Sequence, residues 1–251
     1  MCKKSLYSII SVLNLSLLLS CENIGEEHRF VKTPVNPQRN VLIEDFTGQK
    51  CINCPNATAE IVNYAEFLEN HLVAVSIHGG SMALKPGAAN SLSTNEGNQY
   101  NKDLKISSWP CGRINRSEVL ATKDWANKLI EEVEKYSSVS IYATKTITND
   151  SLLVNLSITG LANDMNGSER LTVWITEDSV RGLQTMPDGK VNSEYIHRHV
   201  YRASMTDFSG DAISTMSPTY RCAIKNEWKQ EHLHVVAFIT RNDYVLNVIE
   251  K

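Results

Sequence analysis

Apolar and polar positions divide the chain into three textures. Leu6 to Leu19 is an apolar run broken only by Ser8, Ser11, Asn14 and Ser16, and it ends at Ser20-Cys21. From Val41 to about Tyr136, buried-strand and helix patterns alternate. Val41 to Phe46 is a short apolar run of strand type. Ala57, Ile61, Val62, Ala65 and Leu68 then recur at helical spacing, and Leu72 to Ile77 is a second strand. Strand, helix and strand in that order predict a parallel βαβ unit. A Gly/Ser/Asn-rich stretch from Gly79 to Asn101 reads as an insertion or lid. A strand near Arg113 to Asn115 follows, then an amphipathic helix with Trp125, Leu129, Ile130, Val133 and Tyr136 on one side. After Ser137 the period changes to two. Val139, Ile141 and Ala143 alternate with polar residues, as do Val154, Leu156 and Ile158, and Leu171, Val173 and Ile175. Further strands are expected near 196–203, 220–224, 233–240 and 245–249. About seven short strands separated by turns predict a β-sandwich of immunoglobulin-like architecture, although the Cys-Trp-Cys hallmark of true immunoglobulin domains is missing.

The fold class expected is therefore α/β followed by all-β. Residues 1–20 form a leader, 21–40 a flexible tether, 41–136 an α/β domain and 137–251 a β-sandwich. Lys3 and Lys4 precede the first apolar run, which is too short for the roughly 20 residues of a membrane span. A small residue followed directly by Cys21 has the form of a bacterial lipobox. Cys21 would then carry lipid and hold the mature chain on a membrane, with export as the consequence. Glu22, Glu26 and Glu27, with Pro34 and Pro37, give the following segment the composition of a tether.

The formal net charge is −3, and loss of Lys3 and Lys4 with the leader makes the mature chain more acidic still. Such a balance argues against nucleic acid as a partner and against a surface that binds anionic lipid by charge. Beyond Cys21 the mature chain carries Cys51, Cys54, Cys111 and Cys222, and export permits disulfides among them.

Cys51-Ile52-Asn53-Cys54 falls where a strand hands over to a helix. Free N–H groups at a helix start stabilise a thiolate, which would make Cys51 the nucleophile and Cys54, one turn on, the resolving thiol. Asp45 stands six residues before Cys51 and is placed to pass a proton. Trp109-Pro110 precedes a strand, and a cis bond there would shape a groove for extended peptide. The same residues also admit a purely structural reading, with Cys51–Cys54 an inert bridge and Asp45 a hydrogen-bonded strand-end carboxylate. Cys111 and His78 would complete a Cys₃His metal site with the pair, or Cys111 would bridge to Cys222. His197-x-His199 and His232-x-His234 each set two imidazoles on one face of an expected strand. The reading adopted assigns these residues no metal and the chain no cofactor. Asp150-Ser151-Leu152 and Asp178-Ser179-Val180 have the form of short glycosylation tripeptides.

Asp45-Phe46, Cys51-x-x-Cys54 and Pro110, in that order, resemble thioredoxin, with Lys50 in place of that family's tryptophan and Ile52-Asn53 in place of its Gly-Pro. A wider set of residues is similar to the twenty-eight-kilodalton outer-membrane protein family of Bacteroidetes. It comprises Glu44 to Pro55, Val75 to Gly79, Pro110 with Asn115-Arg116, and Tyr195 to Arg202. The resemblance implies a lipid-anchored outer-membrane protein with a thioredoxin-like domain and a β-sandwich. It implies no reaction. Two functions of different class follow: thiol–disulfide exchange in the cell envelope, or non-catalytic binding of envelope proteins, surface proteins or glycans over an inert disulfide.

Overall fold

Strand β1 (Val41–Thr47) is buried at every position, the carboxyls of Glu44 and Asp45 included. A computed structural model describes residues 35–161 and 165–251. The leader, Cys21 and the tether as far as Pro34 lie outside the described residues. Helix α1 (Cys54–Phe67) follows the disulfide loop and buries Cys54, Ala57 and Ile61. Strand β2 (Leu72–His78) then pairs with β1 in parallel, from Val41 opposite Leu72 to Thr47 opposite His78. Helix α2 (Asn95–Asp103), strands β3 (Cys111–Ile114) and β4 (Leu120–Ala121), and helix α3 (Trp125–Val133) complete the first half. β3 runs antiparallel to β1, with Cys111 opposite Phe46.

The second half is all strand apart from short turns. It comprises β5 (Ser140–Thr148), β6 (Ser151–Thr159), β7 (Glu169–Glu177), β8 (Val180–Thr185), β9 (Val191–His197) and β10 (Val200–Ser204). It continues with β11 (Asp211–Ala212), β12 (Thr219–Ala223), β13 (Leu233–Arg241) and β14 (Tyr244–Glu250).

These strands do not form a separate sandwich. One sheet runs β14-β13-β7-β10-β2-β1-β3-β4, with β11 beside β7, and so crosses the expected boundary near Ser137. The junction is narrow: Val200 stands opposite Ser76, and the Ser76 N–H donates to the His199 carbonyl at 2.8 Å. A shared core reinforces it, because Leu42, Phe46, Val75 and Ile77 pack in one cluster with Trp174, Tyr201, Val236 and Phe238. Residues 35–251 accordingly form one compact unit, which corrects the division into 41–136 and 137–251. What survives of the sandwich is local. The three-stranded sheet β12-β6-β5 covers one face of β7 and β13 through Leu152, Val154, Leu156, Val173 and Val235.

Three smaller expectations also change. The Gly79–Asn101 stretch holds most of α2, and the Thr94 hydroxyl at its N-cap accepts from the Gly97 N–H at 2.9 Å. Tyr136 lies beyond the end of α3 and is exposed rather than on its buried side. Val35 to Asn40, taken as the end of the tether, is fixed against α3. Gln38 N–H donates to Val133 O, and buried Arg39 pairs with Glu132 at 2.5 Å.

Candidate functional site

The loop from Gly48 to Asn53 carries the cysteines from β1 into α1 under tight constraint. A Cβ on Gly48 would stand 2.3 Å from the Met82 carbonyl oxygen, so the loop approaches the following turn as only glycine permits. The Lys50 N–H donates to that same carbonyl at 2.9 Å, and the Cys51 N–H donates to Gly48 O at 3.0 Å. Buried Gln49 ties in a third segment, with its Nε2 donating to Asn90 O and its Oε1 accepting from the Leu92 N–H. Pro55 occupies the first turn of α1, where a missing N–H costs nothing.

Cys51 and Cys54 are joined in a disulfide, with Cα atoms 5.4 Å apart. The two cysteines are buried alike, at 3% and 2% exposure. The β8–β9 hairpin is hydrogen-bonded to the loop that carries them. Gln184 Nε2 donates to Cys51 O at 2.8 Å and reaches Gly48 O at 3.4 Å, and the Thr185 N–H donates to Gln49 O at 2.8 Å. Ile52 and Asn53 remain exposed beside it.

Behind the disulfide lies a cavity of about 10 Å³, lined among others by Cys54, Ser76, His78, Gln184, Tyr195 and His197. That is about the space of one water molecule. The His78 and His197 rings meet edge to face with centroids 5.3 Å apart, and Tyr195 stacks on His197 in the same way at 4.8 Å. Burial keeps both imidazoles neutral. It drives His78 well below the usual histidine range, with the charges of His197 and Arg202 acting in the same direction. It brings His197 down to about 4 despite a hydrogen bond to the Leu183 carbonyl. His78 Nδ1 has no hydrogen-bond partner.

Asp45 is 1% exposed, and burial pushes its carboxyl up to about 7, opposed only by a 3.3 Å hydrogen bond from Ser76 Oγ to Oδ2. Its other oxygen, Oδ1, is unpartnered. Ser76 thus touches Asp45 and also lines the cavity behind Cys54. Burial, with the Asp45 charge second, pushes the free Cys111 thiol up to about 12. The Trp109-Pro110 bond is cis, as expected. Because Cys111 opposes Phe46, Pro110 sits at the same end of β1 as the disulfide loop.

All four residues singled out in the sequence therefore meet at one end of β1, whereas Gln184 and Tyr195 were not assigned to the site. The signal available for the latter was the Tyr195-to-Arg202 segment, which shared a resemblance with the Cys-x-x-Cys region. Other arrangements that the sequence leaves open are not formed. Cys111 and Cys222 are both free, so no bridge joins them. The Cys₃His arrangement loses two thiolates to the disulfide, and no group of three or more metal ligands gathers among the described residues. His197 ends β9, whereas His199 stands in a left-handed turn before β10, so the pair does not share a strand face. His232 likewise sits in a 3-10 turn ahead of β13.

Among the described residues no helix is long and apolar enough to cross a membrane. A comparison with curated proteins gave no match. Among solved structures, HBP35 of Porphyromonas gingivalis is similar over 87% of this chain and 76% of its own, at 17% identity with a TM-score of 0.67. A protein of Agrobacterium tumefaciens is similar over 86% of this chain and 95% of its own, at 14% identity with a TM-score of 0.53. At such identities the likeness concerns the fold alone, a mixed, sheet-rich architecture with few helices. The family described as outer membrane protein Omp28 matches residues 97–251, more than half of the sequence. The chain belongs to the outer membrane protein Omp28 family.

Proposed function

We propose that the β1–α1–β2 region is a thioredoxin-like site, and that Cys51–Cys54 exchanges with thiols of other cell-envelope proteins while lipid on Cys21 holds the chain on the outer membrane. One observation carries this reading. The disulfide, a buried carboxyl that titrates near neutral pH and a cis-proline converge at one end of one strand. A structural bridge needs neither the acid nor the polar cavity behind Cys54.

The exchange balances as follows. A thiolate of a reduced partner protein attacks Cys51 Sγ, the Cys51–Cys54 bond breaks, and Cys54 leaves with the electron pair and takes up a proton. Asp45, protonated below about pH 7, is the acid at hand, and Ser76 connects it to the cavity beside Cys54. A second partner thiol, once deprotonated, attacks the mixed disulfide and displaces Cys51, which also takes a proton. Two electrons and two protons pass from the partner's dithiol to the pair.

Trapping tests the mechanism. Run in the reverse direction, the Cys51 thiolate of Cys54→Ser should attack a disulfide-bonded peptide, release one peptide thiolate and accumulate as a mixed disulfide on Cys51, and Cys51→Ser should accumulate none at this site. No trapped adduct, together with a reduction potential below about −300 mV, would assign the pair to structure. Membrane attachment has its own test: Cys21→Ala should move the protein to the soluble envelope fraction.

A second reading, a non-catalytic binding protein, draws support from a groove of about 680 Å³ whose walls include Asn98, Gln99, Lys102, Lys105 and Trp109. Amides, ammonium groups and a half-buried indole suit a polar surface partner such as an envelope protein or glycan.

A further inference from the structure

The β8–β9 hairpin is a two-stranded sheet of its own, hydrogen-bonded as a ladder to no other strand. Along β9 Val191, Asn192, Ser193 and Glu194 are exposed, and Val191 is 63% exposed, so the strand buries little apolar surface by itself. An arm of this kind is held by its specific contacts rather than by a core. Those contacts converge on the disulfide loop. Gln184 Nε2 spans the carbonyls of Gly48 and Cys51, the two ends of the turn that presents Cys51. The Thr185 N–H holds Gln49 O, and Gln49 Nε2 reaches back to Leu183 O at 3.3 Å. Tyr195 and His197 close the cavity on the Cys54 side. The ladder shifts register between Gly182 and Gln184, which turns Gln184 inward, where it is 2% exposed.

We infer that the β8–β9 hairpin is a gate over the Cys51–Cys54 disulfide and that Gln184 is the positioning residue that latches it, so that the pair exchanges only with partners able to displace the hairpin. The biological consequence rests on the redox reading above; the latch itself concerns access. Attack on Cys51 Sγ requires an approach in line with the S–S bond, and Cys51 is only 3% exposed while Gln184 of the hairpin holds its carbonyl. The hairpin shares no ladder with the main sheet, so lifting it breaks none of that sheet's strand pairing. Small reductants and folded partners should therefore both report on the same opening step.

The test uses the full chain and the phosphine TCEP, which reduces accessible disulfides whether or not a protein is a redox enzyme. Alkylation and mass mapping at Cys51 and Cys54 follow the rate. The wild type should be reduced far more slowly than oxidised glutathione. Gln184→Ala should be reduced about tenfold faster, the factor expected from losing a buried hydrogen-bonded contact. Gln184→Glu keeps the shape but offers only acceptors to two carbonyl oxygens, so it should be reduced faster as well. Hydrogen exchange at the Thr185 amide should rise in parallel, and Glu194→Ala on the exposed face should leave the rate unchanged. Equal rates for the wild type and both Gln184 variants would overturn the gate, and an equal rise in Glu194→Ala would overturn the assignment of the latch. If Gln184→Ala is reduced quickly but exchanges with no dithiol peptide, the gate stands and the redox reading falls.

Discussion

Glu132 and Asp45 are both buried carboxylates, and the chain surrounds them in opposite ways. Glu132 Oε2 accepts from Arg39, from Tyr244 at 2.5 Å and from Asn115 at 3.0 Å, while Oε1 faces Lys135 at 2.7 Å and Lys128 at 3.0 Å. Burial works against its charge, but these donors outweigh burial and hold it down to about 2. Asp45 has one hydroxyl on one oxygen and nothing on the other, and it rises to about 7. A fully satisfied carboxylate fastens α3, the segment before β1 and the start of β14 to one another. An unsatisfied one stores an easily exchanged proton at a cost in stability. The contrast separates a satisfied polar cluster from an unsatisfied one more cleanly than burial does, since both acids are buried.

The largest effect should come from breaking the satisfied cluster. Glu132→Leu leaves the Arg39 guanidinium, whose side chain is 3% exposed, without its counter-charge. Removing one partner of a buried pair costs about 3–5 kcal/mol, so denaturant melts should show a loss of that size. A loss under about 1 kcal/mol would mean that the network is held as weakly as a surface pair, and the comparison would collapse.

Asp45 should respond with the opposite sign. Its folded pKa, about 7, lies above the ordinary value of 3.8, so the folded state holds the proton more tightly than the unfolded state. The stability linked to that proton is complete below pH 4 and drains away as pH rises through 7. Between pH 4 and pH 8 the wild type should lose on the order of 3 kcal/mol relative to Asp45→Asn, whose side chain does not titrate. Parallel curves for the two proteins would show that Asp45 is ionised throughout, and would remove it as proton donor to Cys54.

Much of this arrangement was legible in the sequence, and what was missed has physical causes. β1, α1, β2 and the strands from β5 to β7 announce themselves because each buries a face of its own, as in Val154, Leu156 and Ile158 of β6. Helix α2 does not, because its buried positions are Gly97 and Asn101 and its inward aromatic, Tyr100, meets Glu44 through its hydroxyl at 3.1 Å. No apolar stripe marks a helix that packs through polar groups. The β8–β9 hairpin is equally silent, since exposed Asn192, Ser193 and Glu194 read as loop. Fusion of the two halves into one sheet hangs on Ser76 and Val200, residues too distant in sequence for any periodic signal to connect. Asp45, Cys51, Cys54 and Pro110 stand out in the sequence because each has a distinctive local context, whereas Gln184 has none.

The smallest effect is expected where a structural reading would place a large one. Replacing Cys51 and Cys54 together by Ala removes a cross-link between residues only three apart in sequence. Chain-entropy arguments assign so short a loop no more than about 2 kcal/mol, well under the expected loss at Glu132. The loop is in any case fixed independently of its sulfurs, through Gly48 against Met82, Lys50 N–H on Met82 O and Gln49 on the Asn90–Leu92 turn. A double variant that melts within about 2 kcal/mol of the wild type would show that the fold does not depend on the bond, which leaves it available for exchange. A loss above about 4 kcal/mol, with faster exchange at the Thr185 amide, would mean that the disulfide anchors the hairpin as much as the hairpin covers the disulfide. Burial of Cys51 would then be structural support rather than gating, and Asp45 would be an acid with no thiolate to serve.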